Sequence, residues 1–270
     1  RKNCLFFGVL MKTLFLFDMD GTLTPPREKM PLSAEMLLGK IQHAGHEVGI
    51  ITGSDMDYIY QQCSNLFDLS LLNTSSVHFL PCNGTKYMLN NKFIYSKNMK
   101  QEMGNNQWRL LMTYLIRQQN KLYTTLTSAF PLTGHFFNYR QSMVNWCPIG
   151  RNATLLDRAL WDLLDENNKI RQPLIEELQS FVKSAEMNLS VKLGGDTSFD
   201  IYPVGWDKTY PLTNTDCFDD YDKIYFVGDR CEENGNDFEI YEHHRTEAYK
   251  TTGVEHTCEI VNKILSSNVS

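Results

Sequence analysis

The 270-residue sequence contains no C-x-x-C pair, no run of Lys or Arg beyond the first two residues, no internal repeat, no low-complexity tract and no long linker. Each absence removes a class of function. The seven cysteines, at 4, 63, 82, 147, 217, 231 and 258, are odd in number and scattered, which argues against a zinc site or redox exchange. They read as reduced thiols of a cytosolic protein. With a formal net charge of −6 and no basic stripe, nucleic acid is not an expected partner. Beyond residue 17 no stretch is long and apolar enough to span a bilayer, so no membrane association is expected.

What is present is an ordinary globular balance: 42% hydrophobic and 21% charged residues support a folded chain long enough for two modest domains. Arg1-Lys2 and the mostly apolar stretch to Phe17 imitate a secretory signal. No polar, small-residue cleavage region follows, however, and cleavage there would remove the strand that presents Asp18. Met11 is therefore the expected start, with residues 1–10 an N-terminal extension. The N-x-S/T triplets at Asn73, Asn83, Asn152, Asn188 and Asn268 carry no meaning in a cytosolic chain.

An apolar run at 13–17, a helical stretch at 33–44 and a second apolar run at 47–51 make a βαβ unit. The runs end in Asp18-Met19-Asp20-Gly21-Thr22 and Thr52-Gly53-Ser54-Asp55. A third run at 223–227 ends in the acidic loop Gly228 to Asp237. Ligands bind off the carboxyl ends of parallel strands, so all three loops are expected on one rim. Between them, 108–119 and 172–185 read as helices, while 134–147 and 189–202 alternate like strands. That mixture predicts an inserted α+β domain.

Phosphoryl transfer needs a nucleophile, a cation to offset phosphoryl charge, and a proton source for the leaving oxygen. Asp18 suits the nucleophile, and Asp20, two residues on, the general acid and base. Gly21 frees the backbone for a sharp turn whose amides can face an anion. Ser54 offers a hydroxyl, Lys208 a fixed positive charge and Asp229 a further oxygen for Mg2+, with Asp18, Asp20 and Asp229 the expected metal-ligating set. Alone, D-x-D after a strand reads equally well as a turn former or helix cap. Lys208 alone reads equally as a snorkelling surface lysine.

In Asp18-Met19-Asp20-Gly21-Thr22, Ser54, Lys208 and the loop 228–237 the chain resembles the haloacid dehalogenase superfamily. The strings FDMDGTLTPPR, FNYRQSMVNWCPIGR, GGDTSFDIYPVGWDKTY and GNDFEIY, in that order, narrow the resemblance to eukaryotic phosphomannomutases. The resemblance implies an α/β fold, a Rossmann-like core with a parallel sheet (11–96 and 207–270) plus an inserted α+β cap domain (97–206) with an antiparallel sheet. It implies Mg2+-dependent interconversion of mannose 6-phosphate and mannose 1-phosphate through an aspartyl-phosphate, with a hexose 1,6-bisphosphate as activator or intermediate, on the route to GDP-mannose. It further implies a cytoplasmic homodimer joined through the cap domains. Substrate contacts would come from Arg27, Arg140, Arg151, Arg158, Ser198 and Asp200, and an ancillary cation from Tyr241 and Thr246.

Guanidinium forks suit phosphate oxygens, and a mutase must hold a second phosphate far from the reacting one. On the residues alone, Arg151 and Arg158, seven apart, read more readily as a solvated helix start than as a phosphate site, and Asp200 can be read as an outward strand residue; the family strings favour the functional reading. The acidic loop departs from the family's usual Lys or Glu, Thr and Pro-Gly-Gly pattern at Arg230 to Asn234. His243 stands where an Asp is usual, and Cys82 replaces a Glu. Adjacent His243 and His244 are expected to point apart, and with no third soft ligand nearby a zinc site is not expected. Two rival functions share these residues: a sugar-phosphate phosphatase on the same core, and a non-catalytic sugar-phosphate binding protein.

Overall fold

The computed structural model describes residues 11–68, 72–125, 131–233 and 235–267. The expected extension 1–10, the triplet at Asn268 and Asn234 of the acidic loop lie outside the described residues. Strand β1 (Thr13–Phe17) is buried at every position. It is followed by helix α1 (Leu32–His43), strand β2 (Glu47–Ile51), helix α2 (Met56–Gln62) and the short helix α3 (Asn65–Asp68). Strands β3 (Val77–Leu80), β4 (Lys86–Leu89) and β5 (Lys92–Ser96) complete the first passage. The chain then leaves this layer and returns at helix α7 (Tyr210–Thr213). Strand β10 (Lys223–Gly228), helix α8 (Phe238–Tyr241), strand β11 (Thr246–Lys250) and helix α9 (Val254–Ser267) follow.

The seven strands form one sheet in the order β11-β10-β1-β2-β3-β4-β5. The first five run parallel, and β4 and β5 are antiparallel additions at one edge. Both faces of the parallel part are covered, which is why its central strands read as continuous apolar runs rather than alternating ones. Phe15 and Phe17 enter the cluster shared with α1, α2 and α9. Leu14 and Leu16 enter the opposite cluster with Leu212, Phe218 and Ile240.

The inserted unit lies between β5 and α7. Helices α4 (Met99–Thr125, interrupted at Gly104), α5 (Leu155–Asn168) and α6 (Arg171–Ser184) accompany strands β6 (Phe137–Tyr139), β7 (Val144–Trp146), β8 (Leu189–Gly194) and β9 (Ser198–Pro203). These strands make an antiparallel sheet in the order β6-β7-β9-β8. Its core gathers around Trp146, Trp161 and Phe199, all wholly buried. Helix α5 is started by a capping box in which the Thr154 and Asp157 side chains each accept from the other's backbone N–H. The fold class therefore matches the expectation, with a parallel sheet in one layer and an antiparallel sheet in the insertion.

Register fixes the rim. Phe17 pairs with Ile50 on one side and Val227 on the other, so the loops after β1, β2 and β10 emerge together. At the opposite ends of the strands sits a polar cluster inside the core. His78, 3% exposed, meets Tyr87 Oη through Nδ1 at 2.8 Å and Glu47 Oε2 through Nε2 at 2.8 Å. Tyr221 Oη also donates to Glu47 Oε2, at 2.6 Å. Hydrogen bonding from His78, and then from Tyr221, outweighs burial and holds the Glu47 carboxyl at about 2, against an ordinary value of 4.5. A folded-state value below the unfolded one adds stability that is present above pH 4.5 and is lost as pH falls toward 2. Because the Glu47 side chain is 37% exposed, solvent screening keeps the contribution modest. Glu47→Gln is accordingly expected to flatten the loss of stability across that acid window, read as urea midpoints against pH. An unchanged slope would remove Glu47 as its source.

Candidate active site

The rim loops carry the carboxylates. Asp18 N–H donates to Val227 O at 2.9 Å, continuing the β1–β10 pairing by one residue and placing the 4%-exposed side chain at the strand end. The chain then turns around Met19 O, which accepts from the amides of Thr22, Leu23 and Thr24. Gly21 takes φ +80°, and a Cβ there would lie 2.5 Å from Asp229 Oδ2. Glycine is thus required both by the left-handed backbone and by the close approach of the Asp229 carboxylate.

Beneath this turn Lys208 is wholly enclosed, its Nζ donating to Asp18 Oδ1 and, at 2.6 Å, to Asp237 Oδ1. Asp237 is itself fully buried, and its Oδ2 accepts from Arg230 N–H at 3.1 Å. Burial alone would lower the Lys208 value, but Asp18 and Asp237 outweigh it and hold the ammonium charged. Burial pushes the Asp18 carboxyl well above its ordinary value; Lys208 opposes that shift, and Asp237 and Asp229 add to it. Asp229 is raised as well, by burial and then by Asp237.

One oxygen from each of Asp18, Asp229 and Asp237 lies within 4.8 Å of the other two. Lys208 and, 3.9 Å from the Asp229 carboxylate, Arg230 set two positive charges against three converging carboxylates, which leaves excess negative charge, and an all-oxygen donor set suits a hard divalent cation such as Mg2+. The residues fit the ion that the sequence implies. Among side chains, Asp237 joins Asp18 and Asp229 of the expected set in this group, and the Asp20 carboxylate lies outside it. Asp20 Oδ1 accepts from Arg27 N–H at 3.1 Å and from Tyr58 Oη at 2.9 Å, and among the described residues no hydrogen bond reaches its second oxygen. This holds Asp20 beside the converging carboxylates, with an oxygen that could carry a proton.

Opposite this floor stands the inserted unit's wall. Arg140, 7% exposed, donates from Nη1 to Gly53 O at 2.6 Å, crossing between the two units. Arg151 donates to Asn145 Oδ1 at 2.9 Å, and Arg158 to Thr197 Oγ1 at 3.0 Å. Burial, followed by the fields of Arg140 and Arg27, lowers the Arg151 value; burial and Arg27 do the same to Arg158. Mutually repelling guanidinium groups in a largely buried wall could hold an anion. Ser198 Oγ sits 3.4 Å from Thr197 Oγ1, and Asp200 Oδ1 accepts from Asn145 Nδ2 at 2.7 Å.

Floor and wall enclose one cleft of about 450 Å3. Asp18, Asp20, Arg27, Ser54 and Asp229 line it from the core. Arg140, Arg151, Arg158, Ser198 and Asp200 line it from the insertion. A roomier groove of about 560 Å3 between β11 and α9, lined by Tyr225, Glu247, Tyr249 and Lys263, contains none of these residues. Volume does not locate the chemistry here; convergent charge does.

Tyr241 and Thr246 lie away from the cleft. The Thr246 hydroxyl is engaged with Ile240 O at 2.7 Å and His243 O at 2.9 Å, and His243 Nδ1 accepts from Arg245 N–H at 3.3 Å. Among the described residues Asp18, Asp229 and Asp237 are the one group of three His, Cys, Asp or Glu side chains positioned for a metal. The described cysteines are free thiols. Cys82, Asn83 and Gly84 are consecutive left-handed residues, with the Cys82 thiol 3.7 Å from Arg140 O in the insertion.

A family model described as eukaryotic phosphomannomutase matches residues 35–267. A phosphomannomutase of Drosophila melanogaster is 31% identical over 253 residues, covering 93% of this chain and 95% of that protein. One of Oryza sativa subsp. indica is 32% identical over 268 residues, covering 99% and 98%. These two alignments span the great majority of both proteins. Among solved structures, a Plasmodium falciparum IMP-nucleotidase superposes with a TM-score of 0.66 at 10% identity, over 96% of this chain and 70% of that one. A haloacid dehalogenase-like hydrolase from Bacteroides thetaiotaomicron gives 0.58 at 14% identity, over 94% and 99%. The structural likeness is one of fold, whereas the sequence likeness is one of family. The chain belongs to the eukaryotic phosphomannomutase family.

Proposed function

We propose that the chain is a phosphomannomutase that interconverts mannose 6-phosphate and mannose 1-phosphate, supplying the route to GDP-mannose. The observation that carries the reading is the two-pole cleft: a buried carboxylate with a phosphoryl-transfer floor at one pole, and arginines for a second phosphate at the other. A hydrolase needs the first pole; a mutase needs both. Bound at Asp18, Asp229 and Asp237, Mg2+ would offset charge on the transferring phosphoryl group.

A hexose 1,6-bisphosphate enters with one phosphate on the floor and the other against Arg140, Arg151 and Arg158. Asp18 forms a bond to phosphorus as the sugar oxygen leaves, and Asp20 delivers a proton to that oxygen through its unengaged carboxylate oxygen. The product is an aspartyl-phosphate and a hexose monophosphate. In the second half-reaction a substrate monophosphate presents its free hydroxyl to the aspartyl-phosphate, Asp20 removes that proton, and the phosphoryl group passes to the sugar; the bisphosphate then turns to set its other phosphate on the floor, so that the monophosphate released next is the isomer. Lys208 holds the Asp18 carboxylate in place throughout. The arginine wall keeps the non-reacting phosphate bound and helps exclude water, which would otherwise hydrolyse the intermediate.

A cytoplasmic homodimer joined through the cap, residues 97–206, belongs to the same proposal. Exposed Leu110 and Ile116 on α4 and Leu160 and Leu163 on α5 supply apolar surface for it. No described helix is long and apolar enough to cross a membrane.

The test compares two products from mannose 1-phosphate in Mg2+ with a hexose bisphosphate activator: mannose 6-phosphate, by coupled assay, and free phosphate. Conversion is expected to exceed release by at least about tenfold. Dominant release with every activator would make the protein a phosphatase, and binding without turnover would make it a sugar-phosphate binding protein. Arg158→Ala is expected to raise KM for the monophosphate by about tenfold or more through loss of a charged hydrogen bond. An unchanged KM would remove Arg158 from the phosphate site.

A further inference from the structure

The sugar-facing carboxylate and a phosphate-facing guanidinium are joined by one side chain. Asn145 is the middle residue of β7, paired in register with Asp200 of β9. Its neighbours Val144 and Trp146 enter the insertion's apolar core. Its own amide, on a residue 3% exposed, faces the cleft. Nδ2 donates to Asp200 Oδ1 at 2.7 Å and Oδ1 accepts from Arg151 Nη1 at 2.9 Å.

Neither partner tolerates the opposite orientation. A carboxylate only accepts and a guanidinium only donates, so the amide nitrogen must face Asp200 and the oxygen Arg151. A buried amide with one end unsatisfied costs more than its hydrogen bond contributes, so both partners stay engaged. The amide also separates a positive from a negative group that would otherwise pair directly. A direct Arg151–Asp200 ion pair would tie up the donors and acceptors that phosphate and sugar hydroxyls require.

We infer that Asn145 is a positioning residue that sets Arg151 for phosphate and Asp200 for sugar hydroxyls at once, so that the two recognition events are coupled through a single amide. The inference rests on the cap-site reading of the proposed function. It adds a residue that acts through Arg151 and Asp200 without taking part in the floor chemistry.

The test uses the full-length protein with Asn145→Asp and Asn145→Ala. Asn145→Asp sets one carboxylate against another and draws Arg151 onto itself; Asn145→Ala releases both partners. Each is expected to raise KM for mannose 1-phosphate by about tenfold or more, with kcat within about threefold, because the reacting pole is untouched. A KM within about twofold of wild type in folded Asn145→Ala overturns the inference, as does a fall in kcat at constant KM. Affinity for inorganic phosphate, titrated without divalent cation so that the floor carboxylates repel the anion, separates this inference from the functional reading. If wild type converts no hexose phosphate, that reading fails. Weaker phosphate binding in Asn145→Ala would still uphold the positioning role, and equal binding would overturn it.

Discussion

Replacing Asp18 by Asn is expected to abolish turnover, by about a thousandfold or more, while leaving the protein at least as stable as wild type. The two effects have one cause. Asp18, Asp229 and Asp237 converge with fewer positive charges, Lys208 and Arg230, than carboxylates, and burial pushes the Asp18 carboxyl up because its charge is costly there. An amide in place of that carboxylate would keep the shape, relieve the repulsion and remove the nucleophile. A site held together at the expense of stability is expected to become more stable when its reactive group is neutralised. Thermal melting without Mg2+ beside steady-state turnover with it reads both. Turnover within about tenfold of wild type would mean that Asp18 is not the nucleophile, and a large loss of stability would mean that its charge is structural.

Lys208→Met is expected to have the opposite stability effect. The ammonium is completely enclosed between Asp18 and Asp237, so its removal leaves two buried carboxylates uncompensated. Breaking a buried pair in this way costs about 3–5 kcal/mol, enough to consume much of the stability of a typical domain. Activity should disappear with it. Adding Asp237→Asn to Lys208→Met should recover part of the loss, since one of the two stranded charges is then gone. Mg2+ should also raise the urea midpoint by binding the folded form. A loss below about 1 kcal/mol would show that the buried triangle is not what holds the floor.

The core was readable in the sequence where physics leaves few choices. Strands β1, β2 and β10 are central in a sheet covered on both sides, so they appear as unbroken apolar runs ending in carboxylate loops. Strand β3 is harder to see, since it is four residues long and carries His78, whose polarity is accommodated by Tyr87 on the next strand and by Glu47 and Tyr221, 31 and 143 residues away. Edge strand β11, Thr-Glu-Ala-Tyr-Lys, has no apolar run at all. The 134–147 segment alternates as a strand would but contains two three-residue strands around a turn, where Gln141 adopts φ +69°.

Helix α5 inverts the usual pattern. Leu155 and Leu156 are each 80% exposed, while Arg158 and Trp161 are buried, so hydrophobic periodicity alone assigns it the wrong inner face. That inversion is also why Arg151 and Arg158 remain ambiguous in the sequence and acquire meaning only from the cleft. Asp18, Ser54, Lys208 and Asp229 could be found because each follows or adjoins a recognisable element. Asp237, Tyr58 and Asn145 could not, because their importance lies in partners 29, 38 and 55 residues away. Spacing along the chain carries no trace of such pairings. The one available signal was the string Gly235-Asn236-Asp237, which marks the loop without saying which of its acids turns inward.

In the proposed mechanism Asp18 carries the phosphoryl group between two orientations of one sugar. Incubating the protein with hexose 1,6-bisphosphate labelled in its phosphates, in Mg2+, followed by acid quench and peptide mapping, tests it directly. Label is expected on the peptide containing Asp18, with its return to added hexose monophosphate as bisphosphate. Label that never exchanges with the protein, or that resides on a residue other than Asp18, would contradict it.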